Sequence, residues 1–211
     1  KKEKIWLHID GAIGGIFAIS NTTSALLNGI SKADSLTLNP QKLLGITKTS
    51  SLLLVSNKST LISTFSTGLP YIEPSWGDEG HGGEIGLQGT RSGEVLKLWL
   101  GLRQLGEKGI DHLLEDSISR RIFFEEQLDP SKLKIISGPL HLISCTPKEL
   151  DIRESEAWSA KTRQFLLDKK FMVSRPIHNE RYYLKAVMGN PHTKQNHLIQ
   201  LAKMLNESVG A

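Results

Sequence analysis

Three short apolar runs, each bounded by turn residues and spaced by helix-sized segments, restrict this chain to a sheet covered by helices. Ile5-Trp6-Leu7-His8-Ile9 ends on Asp10-Gly11, Ser35-Leu36-Thr37-Leu38 ends on Asn39-Pro40, and Ser50 to Val55 forms the third. Runs of this length between Gly, Pro, Asn and Asp read as strands. Proline closes the second because it has no N–H to give a ladder. The first and third are apolar enough to be buried strands. Asn21 to Asn28, with Ser20 or Asn21 as cap and Gly29 as terminator, is expected to be helical, as is Lys58 to Phe65. The alternation predicts an α/β fold whose middle strands are covered on both faces.

The stretch from Thr67 to Gly93 differs in kind, with eight glycines, two prolines and no periodicity. A loop this long within a domain is usually functional, so a lid or binding loop is expected. Val95, Leu98, Trp99 and Leu102 then repeat at i, i+3, i+4 and i+7, which predicts a helix. A second helix is expected from about Ile110 to Gln127, ended by Asp129-Pro130. The break divides the chain into residues 1–128 and a small α+β domain, 129–211. The parts expected of the small domain are strands around Lys134–Ile136 and His141–Cys145, and a helix around Ser159–Asp168. A strand pair (Phe171–Ser174 and Tyr182–Met188) and a last helix capped near Thr193 follow.

Composition removes several function classes. No apolar run reaches the ~18 residues of a membrane span, so no membrane is expected. Ile5-Trp6-Leu7 is too short for the apolar part of a secretion signal. Cys145 is the only cysteine, which excludes an internal disulfide and suits a reducing, cytoplasmic setting. In its apolar strand it reads as packing. The net charge of +4 is spread among acids rather than gathered in a stripe, so no nucleic acid is expected. His178, His192 and His197 have no neighbours at ligand spacing, and no metal is expected. Only Lys1-Lys2-Glu3-Lys4 precedes the first strand, which suggests a fragment or one chain of a split enzyme.

Two strand ends carry groups suited to chemistry. An acid at the end of a buried parallel strand stands at the mouth of the sheet, where α/β proteins bind ligands. Asp10 there can keep a pyridine nitrogen protonated, and the small Ala12 lets a flat ring approach. Lys42, after Asn39-Pro40-Gln41 in a second strand-end loop, can reach the same mouth and bond covalently to an aldehyde. Taken singly, a strand-end aspartate usually caps a turn and a lysine is usually a solvated charge. The conjunction and order of the two carry the reading. Tyr71, in Gly68-Leu69-Pro70-Tyr71, is either an exposed loop residue or a phenol that donates a proton in a closed site. His81 reads as a surface histidine of that loop.

Trp6-Leu7-His8-Ile9-Asp10-Gly11-Ala12 with Gly14-Gly15, and Gly29-Ile30-Ser31-Lys32-Ala33-Asp34-Ser35 followed by Asn39-Pro40-Gln41-Lys42, resemble the group II pyridoxal-phosphate decarboxylases. That family includes glutamate, aromatic amino-acid, histidine, diaminobutyrate and cysteine-sulfinate decarboxylases. Leu96-Lys97-Leu98-Trp99 and Gly189-Asn190-Pro191 match less specific landmarks further on. The likeness covers nearly the whole chain, as the C-terminal half of a typical member. It implies a fold-type I enzyme, with the back half of the large sheet domain followed by the small domain. It also implies pyridoxal 5'-phosphate as cofactor and an amino-acid substrate that loses its α-carboxylate to give an amine. The implied partner is a second subunit of a homodimer, or a split chain carrying the N-terminal half.

By position, the resemblance makes Lys42 the cofactor-holding lysine, Asp10 the partner of the pyridine nitrogen and Ala12 a contact of the ring. Asn39 is implied as a phosphate anchor, and His8 as a neighbour of the cofactor that reads equally as a buried structural histidine. Gln41 stands where many members have histidine. Tyr71 falls 29 residues after Lys42 (71 − 42), the position of the loop tyrosine that returns a proton to the substrate carbon. Thr90 is implied to line the substrate pocket, with Arg91 holding a helix start or a carboxylate. Two alternatives stay open. One is another fold-type I pyridoxal-phosphate enzyme, a lyase, a desulfurase or an aldehyde synthase. The other is a non-catalytic remnant or assembly subunit, because the phosphate-binding turn and the ring-stacking histidine expected of the family's first half are not in this chain.

Overall fold

A computed structural model of the chain describes residues 5–47, 51–69 and 82–209. The backbone forms two compact units, Lys1–Ile110 and Asp111–Ala211, each with its own sheet.

In the first unit, β1 (His8–Asp10), β2 (Ser35–Leu38), α1 (Pro40–Leu43), β3 (Leu52–Val55) and α2 (Ser59–Phe65) follow in order. The strands lie β1-β2-β3, with β1 parallel and β3 antiparallel to β2. Register pairs His8 with Ser35 and Asp10 with Thr37, and on the other side Ser35 with Val55 and Thr37 with Leu53. Side chains alternate across a pleated sheet. One face therefore carries His8, Asp10, Ser35, Thr37, Leu53 and Val55, and the other Ile9, Leu36, Leu38, Leu52 and Leu54. The polar face looks toward α2 across a cavity of about 580 Å³. Pro40 opens α1, where a missing N–H costs nothing.

The apolar face is closed by the turn after Asp10 and a 3-10 helix, Gly15–Ile19, whose Ile16 and Phe17 are buried. The approach is close. A Cβ on Gly11 would lie 2.7 Å from Leu36 Cδ1 and 2.8 Å from the Thr37 carbonyl oxygen. A backbone atom cannot swing aside as a side chain can. Gly11→Ala is therefore expected to destabilise the chain by about 1–3 kcal/mol, read as a lower denaturation midpoint at unchanged slope.

Three expectations need correction here. The strand over Ile5–Ile9 shortens to His8–Asp10, and Ile5, Trp6 and Leu7 are exposed. The third run does form β3, but it is not buried, because Leu53 and Leu54 are 53% and 48% exposed on opposite faces. No α-helix covers Asn21–Asn28, which has only the 3-10 turn Ser24–Leu27. There the Ser20 hydroxyl takes the Thr22 amide at 3.2 Å and the Thr23 hydroxyl donates to the Phe17 carbonyl at 2.9 Å. Short polar side chains bonding the backbone in this way compete with helix formation.

The helix α3 (Val95–Gln127) contains both expected helical stretches, separated at Gly106, whose φ of 62° is open mainly to glycine. The units divide at Ile110/Asp111, inside α3 and ahead of Asp129-Pro130. The reason is packing, since Phe124 and Leu128 belong to the core of the second unit.

That unit continues with β4 (Leu133–Ser137), β5 (Leu142–Pro147), α4 (Ile152–Asp168), the hairpin β6 (Ile177–His178) and β7 (Arg181–Tyr182), β8 (Leu184–Val187) and α5 (Gln195–Glu207). Its sheet is antiparallel, in the order β4-β5-β8. Leu133, Ile143, Leu166, Leu184 and Leu201 form the core with Phe124. Asp151 and Glu154 bond each other's backbone N–H. This reciprocal cap starts α4 well before Ser159, where the sequence pattern had placed it. Cys145 is buried in the sheet, and burial pushes its thiol up to about 12.

Candidate active site

Because β1 and β2 are parallel and Asp10 stands opposite Thr37, the loops after Asp10 and after Leu38 leave the sheet at the same edge. Ala12 lies in the first loop, Asn39 follows β2 as the residue ahead of α1, and Gln41 and Lys42 lie on α1. Asp10 Oδ1 accepts the Ala12 N–H at 3.0 Å, which folds the carboxylate back over its own turn. Its other oxygen bonds nothing among the described residues. Lys42 is exposed on α1, and among the described residues its amine has no ion-pair partner.

The Asn39 side-chain oxygen accepts the Ser51 hydroxyl at 2.8 Å, so its amide hydrogens stay available to an acceptor. Beside Lys42, Gln41 is half-buried and its Oε1 is a buried acceptor without a hydrogen-bond partner among the described residues.

His8 lies on the face of Asp10, two residues back along β1. Its Nδ1 is 2.7 Å from Ser35 Oγ and its Nε2 is 3.3 Å from Thr37 Oγ1. Ser35 Oγ also accepts the Trp6 indole N–H at 2.8 Å. Ser35, Thr37 and Trp6 escaped the sequence reading because strands commonly carry such residues. Only the register reveals that they share the face of His8.

Thr90 and Arg91 are exposed, and neither bonds Asp10, Lys42 or Asn39. Arg91 instead donates to the Gln88 carbonyl at 3.2 Å, with its guanidinium against Gly86. Tyr71 and His81 lie outside the described residues. Flanking that stretch, Glu84 takes both the Thr67 N–H (2.9 Å) and the Thr67 hydroxyl (2.8 Å). The hydroxyls of Ser66 and Thr67, ahead of the Thr67 and Gly68 backbone N–H groups, hold its carboxyl below the usual glutamate range. A lowered carboxyl stabilises above its unfolded pKa and loses that contribution as pH falls through its folded value. The contact is thus expected to hold at neutral pH and open only in acid. A carboxyl-carbon NMR titration of Glu84 should give a midpoint below that of an unstructured glutamate.

Among the described residues no group of three His, Cys, Asp or Glu could hold a metal ion. None of their helices is long and apolar enough to cross a membrane.

Parallel strands with an acid ending one and a lysine on the helix after the other, followed by an antiparallel strand, fit a fold-type I architecture. Solved structures agree on the fold. The chain matches the Oryza sativa TDC crystallised with PLP and tryptamine at a TM-score of 0.85 and 17% identity, over 99% of this chain and 45% of that one. It matches mouse CSAD in apo form at a TM-score of 0.80 and 23% identity, over 99% of this chain and 46% of that one. The family model for the pyridoxal-dependent decarboxylase conserved domain matches residues 1–136, and the chain belongs to that family.

Among curated relatives, it is 37% identical to the aromatic-L-amino-acid decarboxylase of Bacillus atrophaeus, covering 98% of this chain and 46% of that protein. It is 25% identical to tyrosine decarboxylase 2 of Arabidopsis thaliana, covering 98% of this chain and 39% of that protein. The chain therefore spans less than half the length of these two relatives.

The residues present fit a pyridoxal group. An exposed carboxylate suits a ring N–H, an exposed primary amine suits an aldehyde, and amide hydrogens on Asn39 suit a phosphate.

Proposed function

We propose that this chain is the lysine-bearing half of a pyridoxal 5'-phosphate enzyme that removes the α-carboxylate of an L-amino acid, releasing an amine and carbon dioxide. The observation that carries the reading is the common edge at which the Asp10 and Lys42 loops leave β1 and β2. The decarboxylase family and the 37% identical relative support it.

When bound, the cofactor supplies an electron sink for the pair left on the substrate carbon as carbon dioxide departs. Lys42 would hold the cofactor covalently through its amine. Asp10 keeps the ring nitrogen protonated, which is what makes the ring accept electrons. Ala12 gives the ring a flat, small surface to rest on. Asn39 would donate its amide hydrogens to the phosphate, and His8 and Gln41 would lie beside the cofactor. Thr90 and Arg91 face the substrate, Thr90 in the pocket of a second subunit. Tyr71 delivers a proton to the substrate carbon in place of the lost carboxylate.

The remaining half of the active site belongs to an N-terminal segment, on the same or a companion polypeptide, within a homodimer. Support comes from the exposed apolar side chains on both faces of β3, Leu53 and Leu54, which such a segment would cover.

Product analysis tests the reaction. The chain, together with the family's N-terminal half, is expected to convert an L-amino acid to its amine with release of carbon dioxide. Tyr71→Phe should lower amine and raise aldehyde and ammonia, because the carbon awaiting a proton is left open to oxygen. Unchanged products would remove Tyr71 from this role, and no carbon dioxide from any amino acid would end the decarboxylase reading.

A further inference from the structure

The polar face of the first sheet contains a hydrogen-bond chain whose direction follows from donor chemistry. The Trp6 indole nitrogen can only donate, so Ser35 Oγ accepts it at 2.8 Å. Ser35 is buried, 6% exposed, and among the described residues its hydroxyl meets one further side chain, His8 Nδ1 at 2.7 Å. Donated to Nδ1, the hydroxyl proton finds a side-chain acceptor among the described residues. That nitrogen then bears no hydrogen, and the ring carries its proton on Nε2, where it faces Thr37 Oγ1 at 3.3 Å. In this tautomer the order of donation is Trp6 to Ser35 to His8 to Thr37.

The geometry is also a staple. His8 is paired in register with Ser35, while Thr37 is paired with Asp10. A ring bonded to both hydroxyls ties the first and third rungs of a three-residue parallel ladder, and the third rung carries the Asp10 carboxylate. A seam this short gains little from its own backbone bonds, so side-chain bonds weigh heavily in its register.

We propose that Ser35 is a positioning residue: donating to Nδ1, it fixes His8 in the Nε2–H form and pins the β1–β2 seam, holding Asp10 where it meets the cofactor ring. The part concerning the cofactor rests on the function proposed above. The part concerning the ring proton does not.

The test uses Ser35→Ala, which removes the hydroxyl, and Ser35→Thr, which keeps it with a β-branched side chain suited to a strand. Each is made in the full protein with its N-terminal half. Nitrogen-15 histidine spectra, with His8 assigned by its loss in His8→Asn, report which ring nitrogen carries the proton, without cofactor. Equilibrium dialysis reports affinity for pyridoxal phosphate.

The parent protein is expected to show the His8 proton on Nε2. Ser35→Ala is expected to lose that preference and bind the cofactor about tenfold more weakly, the scale of one buried hydrogen bond. Ser35→Thr should restore both. A His8 proton on Nδ1 in the parent, or an Nε2–H signature that survives Ser35→Ala, overturns the proposal. So does a folded Ser35→Ala protein that binds the cofactor as tightly as the parent. If the parent binds no pyridoxal phosphate at all, the proposed function and the cofactor part fall together, while the histidine spectra still decide the tautomer.

Discussion

Lys42→Ala is expected to abolish covalent attachment of pyridoxal phosphate and to lower kcat in the assembled protein by roughly a thousandfold or more. The amine has no hydrogen bond or ion pair to lose among the described residues, and it is exposed. Stability should therefore move by no more than about 0.5 kcal/mol, the usual range for surface changes. Lys42→Arg sharpens the result. A guanidinium keeps the positive charge but stays protonated and does not attack an aldehyde. The arginine variant should be as inactive as the alanine one. A loss of activity with intact covalent attachment would show that another lysine holds the cofactor.

Asp10→Asn should cost about a hundredfold to a thousandfold in kcat, the scale seen when one preorganised electrostatic group is removed from a reacting centre. The amide keeps the shape of the carboxylate, and its oxygen can still accept the Ala12 N–H that orders the turn. What it loses is the negative charge that keeps a pyridine nitrogen protonated. Cofactor should still attach at Lys42, so attachment and turnover separate in this variant. Steady-state rates set beside the visible absorption of the bound cofactor check this. Full turnover in Asp10→Asn would mean that Asp10 serves only its turn.

The ends of the strands at Asp10 and ahead of Asn39-Pro40 were legible in sequence because turn chemistry marks strand ends sharply, whereas Lys42 was expected in a loop and lies on α1. Asn39-Pro40 stops one strand and Asp10-Gly11 stops another, wherever the rest of the protein lies. Burial was not legible. Ile5 to Ile9 and Ser50 to Val55 read as buried runs, yet an apolar side chain becomes buried only if something covers it, and Leu53 and Leu54 stay exposed. Local pattern also misjudged Asn21–Asn28, where the Ser20 and Thr23 hydroxyls take over backbone partners.

The bonds of His8 depend on strand register, and register joins residues 27 and 29 positions apart. In the second unit, His141 went unremarked among its apolar neighbours. It is buried, and burial together with the Arg120 guanidinium pushes its pKa down to about 4.

Trapping the cofactor tests the central claim most directly. The assembled protein, loaded with pyridoxal phosphate and reduced with borohydride, can be digested and its peptides mapped by mass. The account predicts one pyridoxyl-phosphate adduct, on the peptide carrying Lys42, together with loss of the visible absorption band. An adduct on a different lysine, or none in a protein that is folded and assembled, would contradict it.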